Sequence, residues 1–217
     1  MYELALVALF GFLVFHNSRF RDAELSLFPR KISDKLGKLW DIAHQGMREN
    51  RFLRAEKALL TILKIDEKNA AAYNRLGILY AKQKEYRDAI DCFEIASSIE
   101  PTASSLHNLG LIYYETENYE KAGVAFEMAL KYEDSLAARH IAYAKVQEKL
   151  GNHRLVIDEL KRAVELEPNQ ETYSLLQRAY SDLGMEAEAD MLKQKLDKMV
   201  ARAVKPTRVV RPKRVVI

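Results

Sequence analysis

The chain has 217 residues, of which 30% are charged and 48% are hydrophobic, proportions typical of a globular protein. That length accommodates one domain of ordinary size or one array of repeats. A single cysteine, Cys92, excludes an internal disulfide and any multi-cysteine zinc or iron–sulfur centre. The net charge of +3 is uneven, because residues 198–217 carry seven Lys or Arg and no acidic residue. Subtracting those seven charges from +3 leaves −4 for residues 1–197.

The chain begins with an apolar stretch, residues 4–15, in which every residue is apolar or Gly. As a helix, these residues would cover roughly 18 Å at about 1.5 Å each, less than the roughly 30 Å hydrocarbon core of a bilayer. Three interpretations are open: a cleaved secretion signal, a membrane anchor, or a helix buried by the fold or by a partner. The sequence argues against a signal, because only Glu3 is charged before the stretch and no Ala-x-Ala pattern follows it.

The membrane-anchor interpretation is favoured by apolar side chains on every face of such a helix, since a soluble fold buries only one stripe of a flanking helix. Basic residues follow the stretch at Arg19, Arg21, Arg30 and Lys31, and none precedes it. By the positive-inside tendency, the rest of the chain would then face the cytoplasm. The residues expected in the anchor are Leu4, Leu6, Val7, Leu9, Phe10, Phe12, Leu13, Val14 and Phe15. The alternative is a soluble cytoplasmic chain whose apolar first helix packs in a multiprotein assembly.

A repeat with a period of 33 residues follows this N-terminal segment. Residues 73–101 and residues 106–134 carry the same residue types at six fixed offsets. The matched positions are Leu76-Gly77 and Leu109-Gly110, Tyr80 and Tyr113, Tyr86 and Tyr119, Ala89 and Ala122, Phe93 and Phe126, and Ala96 and Ala129. Small residues let helix backbones approach one another, and large ones fill the space between them. The pattern therefore predicts pairs of antiparallel helices that stack on their neighbours.

This pattern resembles the tetratricopeptide repeat (TPR) family over residues 36–200. Strong copies lie at 70–102 and 103–136, and weaker copies lie at 36–69, 137–169 and 170–200. The resemblance implies an all-α fold, a right-handed α-solenoid of about five helix pairs. The apolar segment at 1–18 and a linker or helix at 19–35 would precede the array, and a basic tail at 201–217 would follow it.

Helix-stopping residues predict where the two helices of a repeat are joined. The expected turns are at Glu49-Asn50, Glu117-Asn118, Gly151-Asn152 and Gly184. The last helix is expected from about Glu186 to Val204, with one apolar stripe. Such a stripe is typical of a helix that closes the end of a repeat array.

The resemblance also implies a binding surface. In this family the first helices of successive repeats line a concave groove that holds a peptide or helix of a protein partner. By position, the groove residues are Trp40, His44, Met47, Asn74, Ile78, Lys82, His107, Asn108, Leu111, Tyr114, Glu115, Ile141, Lys145 and Glu148. Their mixture of aromatic, aliphatic and polar side chains suits such recognition. Trp40 is either an aromatic anchor for the partner or a packing residue against the preceding segment.

The sequence contains no motif of an enzyme. It has no glycine-rich phosphate loop, no His-Glu-x-x-His and no nucleophile elbow, and its five histidines are scattered. We therefore expect no catalytic residues, no metal and no cofactor. The expected function is that of a scaffold or adaptor, tethered to a membrane, that binds protein partners in its groove.

The basic tail repeats Arg-Val-Val on both sides of Pro212. Its basic residues are Arg202, Lys205, Arg208, Arg211, Lys213 and Arg214. Pro206 and Pro212 prevent a continuous helix. The open roles are a solvated tail, a strand added to a partner, contact with anionic lipid, and contact with nucleic acid. No aromatic residue is interleaved with the basic ones, which argues against nucleic acid.

Overall fold

A computed structural model of the chain describes residues 30–203, with side chains described for residues 32–201. The expected membrane anchor at residues 1–18 lies outside the described residues, and so do residues 204–217 of the basic tail. Of the expected tail residues, only the backbone of Arg202 is included. Between residues 30 and 203, none of the helices combines the length and apolar character that a bilayer crossing requires.

Ten α-helices and no strand make up residues 30–203. In chain order they are α1 (Arg30–Arg48), α2 (Phe52–Ile65), α3 (Ala70–Gln83), α4 (Tyr86–Ile99), α5 (Ala103–Glu115), α6 (Tyr119–Tyr132), α7 (Ala137–Lys149), α8 (His153–Leu166), α9 (Gln170–Asp182) and α10 (Glu186–Ala203). The expectation of an all-helical fold of about five helix pairs is confirmed.

The chain divides into two compact units, the first ending at Leu79 and the second beginning at Tyr80. In the first unit α1 packs against α2, and the close approach depends on Gly46. A Cβ at position 46 would lie 3.0 Å from both the Cβ and the backbone nitrogen of Ala55. The buried apolar residues of this unit are Ala43, Met47, Ala55, Ala58, Leu59, Ile62, Ala72, Leu76 and Leu79.

In the second unit each helix from α4 to α10 packs against the next one along the chain. The two repeat phenylalanines, Phe93 and Phe126, are each 1% exposed and fill the space between helices, as the sequence pattern predicts. Gly110 of α5 makes room for Phe126, because a Cβ at position 110 would lie 3.0 Å from three atoms of that ring. On α10 only Ala189 of the expected apolar stripe is fully buried, while Leu192 and Leu196 are half-buried and Val200 is exposed.

A residue with positive φ closes the first helix of every repeat. The five residues are Asn50 (φ 55°), Lys84 (φ 64°), Glu117 (φ 60°), Gly151 (φ 75°) and Gly184 (φ 70°). In the turn at Glu117, the backbone N–H of Asn118 donates to the carbonyl oxygen of Tyr113 at 2.8 Å. This pairing ends a helix through a left-handed residue and satisfies a carbonyl that would otherwise lack a donor. The turn at Lys84 contains neither Gly nor Asn, and the sequence pattern did not predict it.

Two of the first helices in the second unit begin with reciprocal side-chain caps. At α5 the Thr102 hydroxyl accepts from the backbone N–H of Ser105 at 3.0 Å, and the Ser105 hydroxyl accepts from the N–H of Thr102 at 3.1 Å. Asn169 and Thr172 form the same arrangement at α9. Each cap satisfies two helix-terminal donors that have no partner within the helix.

The beginning of α7 departs from this rule, because Leu136 stands at the capping position and caps nothing through its side chain. Arg139 occupies the place of the capping partner and is only 4% exposed. Its guanidinium donates to the carbonyl oxygen of Glu133 at 3.0 Å and pairs with the Glu133 carboxylate at 2.8 Å. The neighbouring His140 ring contacts the carbonyl oxygen of Asp134 at 2.8 Å and the carboxylate of Glu159 at 2.7 Å. Two buried polar side chains therefore hold the connection between α6 and α7 in place.

Candidate functional site

The expected groove residues of the first unit lie on α1 and α3. The Trp40 and His44 rings face each other on α1, with ring centroids 5.6 Å apart and an interplanar angle of 36°. Trp40 is half-buried and His44 is exposed. Met47 is only 8% exposed and belongs to the core, so its side chain offers little surface to a partner. Asn74 and Ile78 on α3 are half-buried.

In the second unit the expected groove residues begin with Lys82, which is exposed near the end of α3. The next five lie on α5: His107, Asn108 and Tyr114 are half-buried, while Leu111 and Glu115 are exposed. The Tyr114 ring meets the ring of Tyr119 edge to face, at 5.6 Å between centroids. Because a half-buried aromatic ring held by a neighbour loses little freedom on binding, Tyr114 is suited to contact a partner.

His107 is a half-buried residue of α5 that packs against α6. Its ring packs edge to face against Phe126, with 5.2 Å between centroids. Its Nδ1 atom is enclosed and has no hydrogen-bond partner among the described residues. Burial, and secondarily the nearby Arg139 charge, lowers the pKa of His107. The ring is therefore neutral near pH 7 and acts here as an aromatic packing group.

The last three expected groove residues line one cleft. Between α7 and α9, with α8 beneath, lies a cavity of about 40 Å³. It is lined by Ile141, Ala144, Lys145, Glu148, Val156, Leu160, Leu175, Arg178, Ala179 and Asp182. Since one water needs roughly 10–15 Å³ of such space, the cavity has room for about three waters or for one short branched apolar side chain. We call this site the α7–α9 cleft.

Charged groups surround the apolar floor of the α7–α9 cleft. The Arg178 guanidinium lies 3.5 Å from the Glu148 carboxylate and 3.6 Å from the Asp182 carboxylate. These side chains are 46–68% exposed. Exposed ion pairs of this kind are worth about 1 kcal/mol or less, so their charges can be redirected to a partner at low cost.

Four residues on the α9 side of the cleft were not among the groove residues expected from sequence: Leu175, Arg178, Ala179 and Asp182. The expected set ended with the fourth repeat. Arg178 follows Lys145 by 33 residues, so extending the repeat offset by one more period would have found it. The positions of Leu175 and Ala179 are decided by the packing of α9 on α8.

Within the part of the chain that the structure describes, no side-chain cluster suggests catalysis. Among residues 30–203, no three His, Cys, Asp or Glu side chains are grouped so that they could hold a metal ion. Cys92 is buried, and burial, followed by the charges of Asp88 and Asp91, raises the pKa of its thiol to about 11. Such a thiol is a poor nucleophile, because little of it is ionised near neutral pH.

The helix pairs recur every 33 or 34 residues, and a left-handed turn joins the two helices of each pair. This arrangement defines a helical-repeat protein. Residues 68–132 match a family model described as tetratricopeptide repeat. Residues 68–132 are therefore identified as tetratricopeptide repeats, and the resemblance seen in the sequence is confirmed over that part of the chain. Proteins built from these repeats are generally non-catalytic scaffolds for protein–protein interaction. No curated protein sequence matches the chain significantly.

Several solved structures share the fold. A crystal structure of MamA protein is 21% identical in sequence to this chain and superposes with a TM-score of 0.72. The alignment covers 82% of this chain and 100% of the MamA chain. A structure of MamA from Desulfovibrio magneticus RS-1, comprising residue 41 to the end, is 15% identical, with a TM-score of 0.71. The alignment covers 79% of this chain and 98% of the MamA chain. YrrB, described as a TPR protein with an unusual peptide-binding site, is 18% identical, with a TM-score of 0.63. The alignment covers 71% of this chain and 80% of the YrrB chain. At these identities the likeness shows the fold alone.

Proposed function

We propose that this protein is a non-enzymatic scaffold that holds a segment of a protein partner in the α7–α9 cleft. The observation that carries the proposal is the cavity in that cleft, where Ile141, Lys145 and Glu148 meet Leu175 and Arg178. All three α7 residues belong to the groove set expected from the sequence. The likeness in fold to YrrB, which is described as having a peptide-binding site, supports a peptide as the ligand.

The chemistry of the α7–α9 cleft describes the partner segment. A cavity of about 40 Å³ with aliphatic lining suits one Val, Ile or Leu side chain. Basic groups on both walls, Lys145 and Arg178, and the acidic groups Glu148 and Asp182 offer ion pairs to charged residues that flank it. The proposed ligand is thus a peptide segment with one branched apolar residue between charged residues.

The proposal includes a membrane tether, and the sequence alone supports that part. Residues 4–15 are apolar or Gly, and the first basic residues follow them. By the positive-inside tendency, this arrangement places the helical repeats on the cytoplasmic face. The tether would keep the cleft close to membrane-associated partners.

The α7–α9 cleft is tested by filling its cavity in the full-length protein. Ala179→Leu adds three carbons at the lining of the cavity, and Ala187→Leu makes the same change at an exposed site on α10. Peptides selected from a display library by the wild-type protein should bind Ala179→Leu at least about tenfold more weakly, a loss of about 1.4 kcal/mol. They should bind Ala187→Leu as before. Equal binding by both variants, with unchanged thermal stability, would show that the cleft is not the peptide site.

The tether is tested by fractionating membranes from cells that express the full-length chain or a chain without residues 1–18. After an alkaline carbonate wash, the full-length chain should remain in the membrane fraction and the shortened chain should be soluble. Recovery of the full-length chain in the soluble fraction would contradict the tether and favour an apolar helix packed in a protein assembly.

A further inference from the structure

An apolar stripe lies exposed on α6, away from the α7–α9 cleft. Val124, Met128 and Tyr132 are spaced by four residues, so they share one face of the helix. Their exposed fractions are 58%, 39% and 55%. Large apolar side chains that are adjacent and exposed commonly mark a contact surface.

Comparison of the repeats shows that an apolar residue at the Val124 position is not a general requirement of the fold. The residue 33 positions before Val124 is Asp91, and the residue 34 positions after it is Asp158. Both of these residues are exposed, as an acidic side chain on an outer helix face is expected to be. The third repeat therefore carries an apolar residue where its two neighbours carry a carboxylate.

The stripe borders a groove of about 320 Å³ between α5 and α6, which we call the α5–α6 groove. Its lining residues are Leu106, Leu109, Tyr113, Glu120, Lys121, Val124, Ala125 and Met128. All of the lining except Glu120 and Lys121 is apolar or aromatic. From Glu120 to Met128 the helix rises about 12 Å, which matches about four residues of an extended chain.

One end of the α5–α6 groove is acidic. The Tyr113 hydroxyl donates a hydrogen bond to the Glu94 carboxylate, and Glu120 lies in the lining. Burial, the bond to Glu94 and the charge of Asp91 together raise the pKa of Tyr113. The ammonium of Lys121 lies over the Tyr113 ring at 5.4 Å from its centroid. The carboxylates of Asp91, Glu94 and Glu120 outnumber this ammonium, so these four groups together carry a negative charge.

We propose that the α5–α6 groove docks the basic tail of the same molecule, residues 204–217. These residues contain five of the seven cations found at 198–217, and the unit Arg-Val-Val occurs in them twice. Side chains two residues apart in an extended chain share a face, so Arg214 and Val216 would point the same way in an extended tail. One face of the tail thus offers an apolar group to the groove and a cation to its acidic end.

The length of the tail permits this docking. It begins after Ala203, where α10 ends, and its 14 residues extend to about 46 Å at roughly 3.3 Å each. From α10 to α6 the chain of packed helices has four steps, each of at most about 10 Å. The axes of α10 and α6 are therefore at most about 40 Å apart, and Val216, which lies 13 residues after Ala203, reaches about 43 Å.

The docking is tested by limited trypsin digestion of the full-length protein in a mild detergent. Within residues 204–217, trypsin cleaves after Arg208, Lys213 and Arg214, whereas proline protects the bonds after Lys205 and Arg211. The double variant Val124→Gln with Met128→Gln removes the apolar contact without adding negative charge to the groove. It should be cleaved after Arg214 about tenfold faster than the wild type, because an undocked tail is open to the protease. The matched control, Leu53→Gln, changes another exposed apolar residue and should leave the rate unchanged. Equal rates in the wild type and the double variant would overturn the proposal.

Photo-cross-linking identifies the occupant of the groove directly. With p-benzoylphenylalanine at position 216, the wild-type monomer should give an intramolecular cross-link to the tryptic peptide 122–131, and the double variant should not. A cross-linked dimer would mean that the tail of a second copy fills the groove. A cross-link only to lipid or to other peptides would mean that the tail docks elsewhere. Either result would overturn the intramolecular docking.

Discussion

The third repeat contains two glycines that the same substitution should affect with opposite sign. Gly110 lies on α5 and Gly123 on α6, and both are buried. A Cβ at position 110 would lie 3.0 Å from three atoms of the Phe126 ring, whereas a Cβ at position 123 would have its nearest neighbours at 3.6 Å. Ala therefore fits at position 123 without movement and requires a shift of a buried ring at position 110.

The expected magnitudes follow from two opposing effects. Replacing Gly by Ala within a helix stabilises it by about 0.8–1.0 kcal/mol. Overpacking a filled core costs about 1–3 kcal/mol. Gly123→Ala should therefore raise the free energy of unfolding by about 1 kcal/mol, and Gly110→Ala should change it by between about 0 and −2 kcal/mol.

The two variants are compared by thermal and urea denaturation of the full-length chain under identical conditions. For a domain of this size, a difference of 1 kcal/mol corresponds to about 2–4 °C in the midpoint temperature. Because repeat arrays can unfold in more than one step, hydrogen exchange of the α5 and α6 amides should accompany the melts. If Gly110→Ala stabilises the protein as much as Gly123→Ala does, the close approach of Phe126 to α5 is wrong.

Three further predictions concern single residues. Lys84→Gly should stabilise the protein by about 0.5–1 kcal/mol in denaturation experiments, because it relieves a left-handed residue with φ 64°, and Gly151→Ala should destabilise it by a similar amount. The thiol pKa of Cys92 is raised from 9.0 to about 11 in the native protein. At neutral pH its thiolate population should therefore be about a hundredfold smaller in the native than in the unfolded protein. A thiol reagent should label the native protein correspondingly more slowly. Burial lowers the pKa of His107 from its usual 6.5, so the native state disfavours the protonated ring. The stability of the protein should therefore be unaffected by this group above pH 6.5. Below pH 6.5 the free energy of unfolding should fall by at most about 1.4 kcal/mol per pH unit. In pH-dependent melts, His107→Gln should flatten this decline, and an unchanged slope would assign the decline to other groups.

The sequence predicted the helical pairs because their determinants are local. Tyr80, Phe93 and Ala96 recur one period later as Tyr113, Phe126 and Ala129, and the spacing of small and large residues along one chain is enough to predict stacked helices. The turns at Asn50, Gly151 and Gly184 were predicted for the same reason, since Gly and Asn adopt positive φ at little cost, whereas at the predicted turn Glu117-Asn118 it is Glu117 that has positive φ. The turn at Lys84 was missed because it places an ordinary residue at positive φ, where the backbone N–H of Glu85 donates to the carbonyl oxygen of Tyr80.

The binding surface could be predicted only in part. Position within the repeat brought Ile141, Lys145 and Glu148 into one cleft, as expected for residues on one helix face. Position alone did not reveal that Met47 is buried or that His107 packs on Phe126, because burial depends on what the neighbouring helix presents.

By itself, the sequence determined the period, the all-helical class and the division of charge between an acidic body and a basic tail. These properties depend only on the order of the residues, so they can be recognised from a single sequence. Only the tertiary structure decided how the α6–α7 connection is held, because Arg139 and His140 reach Glu133, Asp134 and Glu159 across space. It also decided where apolar surface stays open, since the α5–α6 groove and the α7–α9 cleft each exist only between helices that packing brings together.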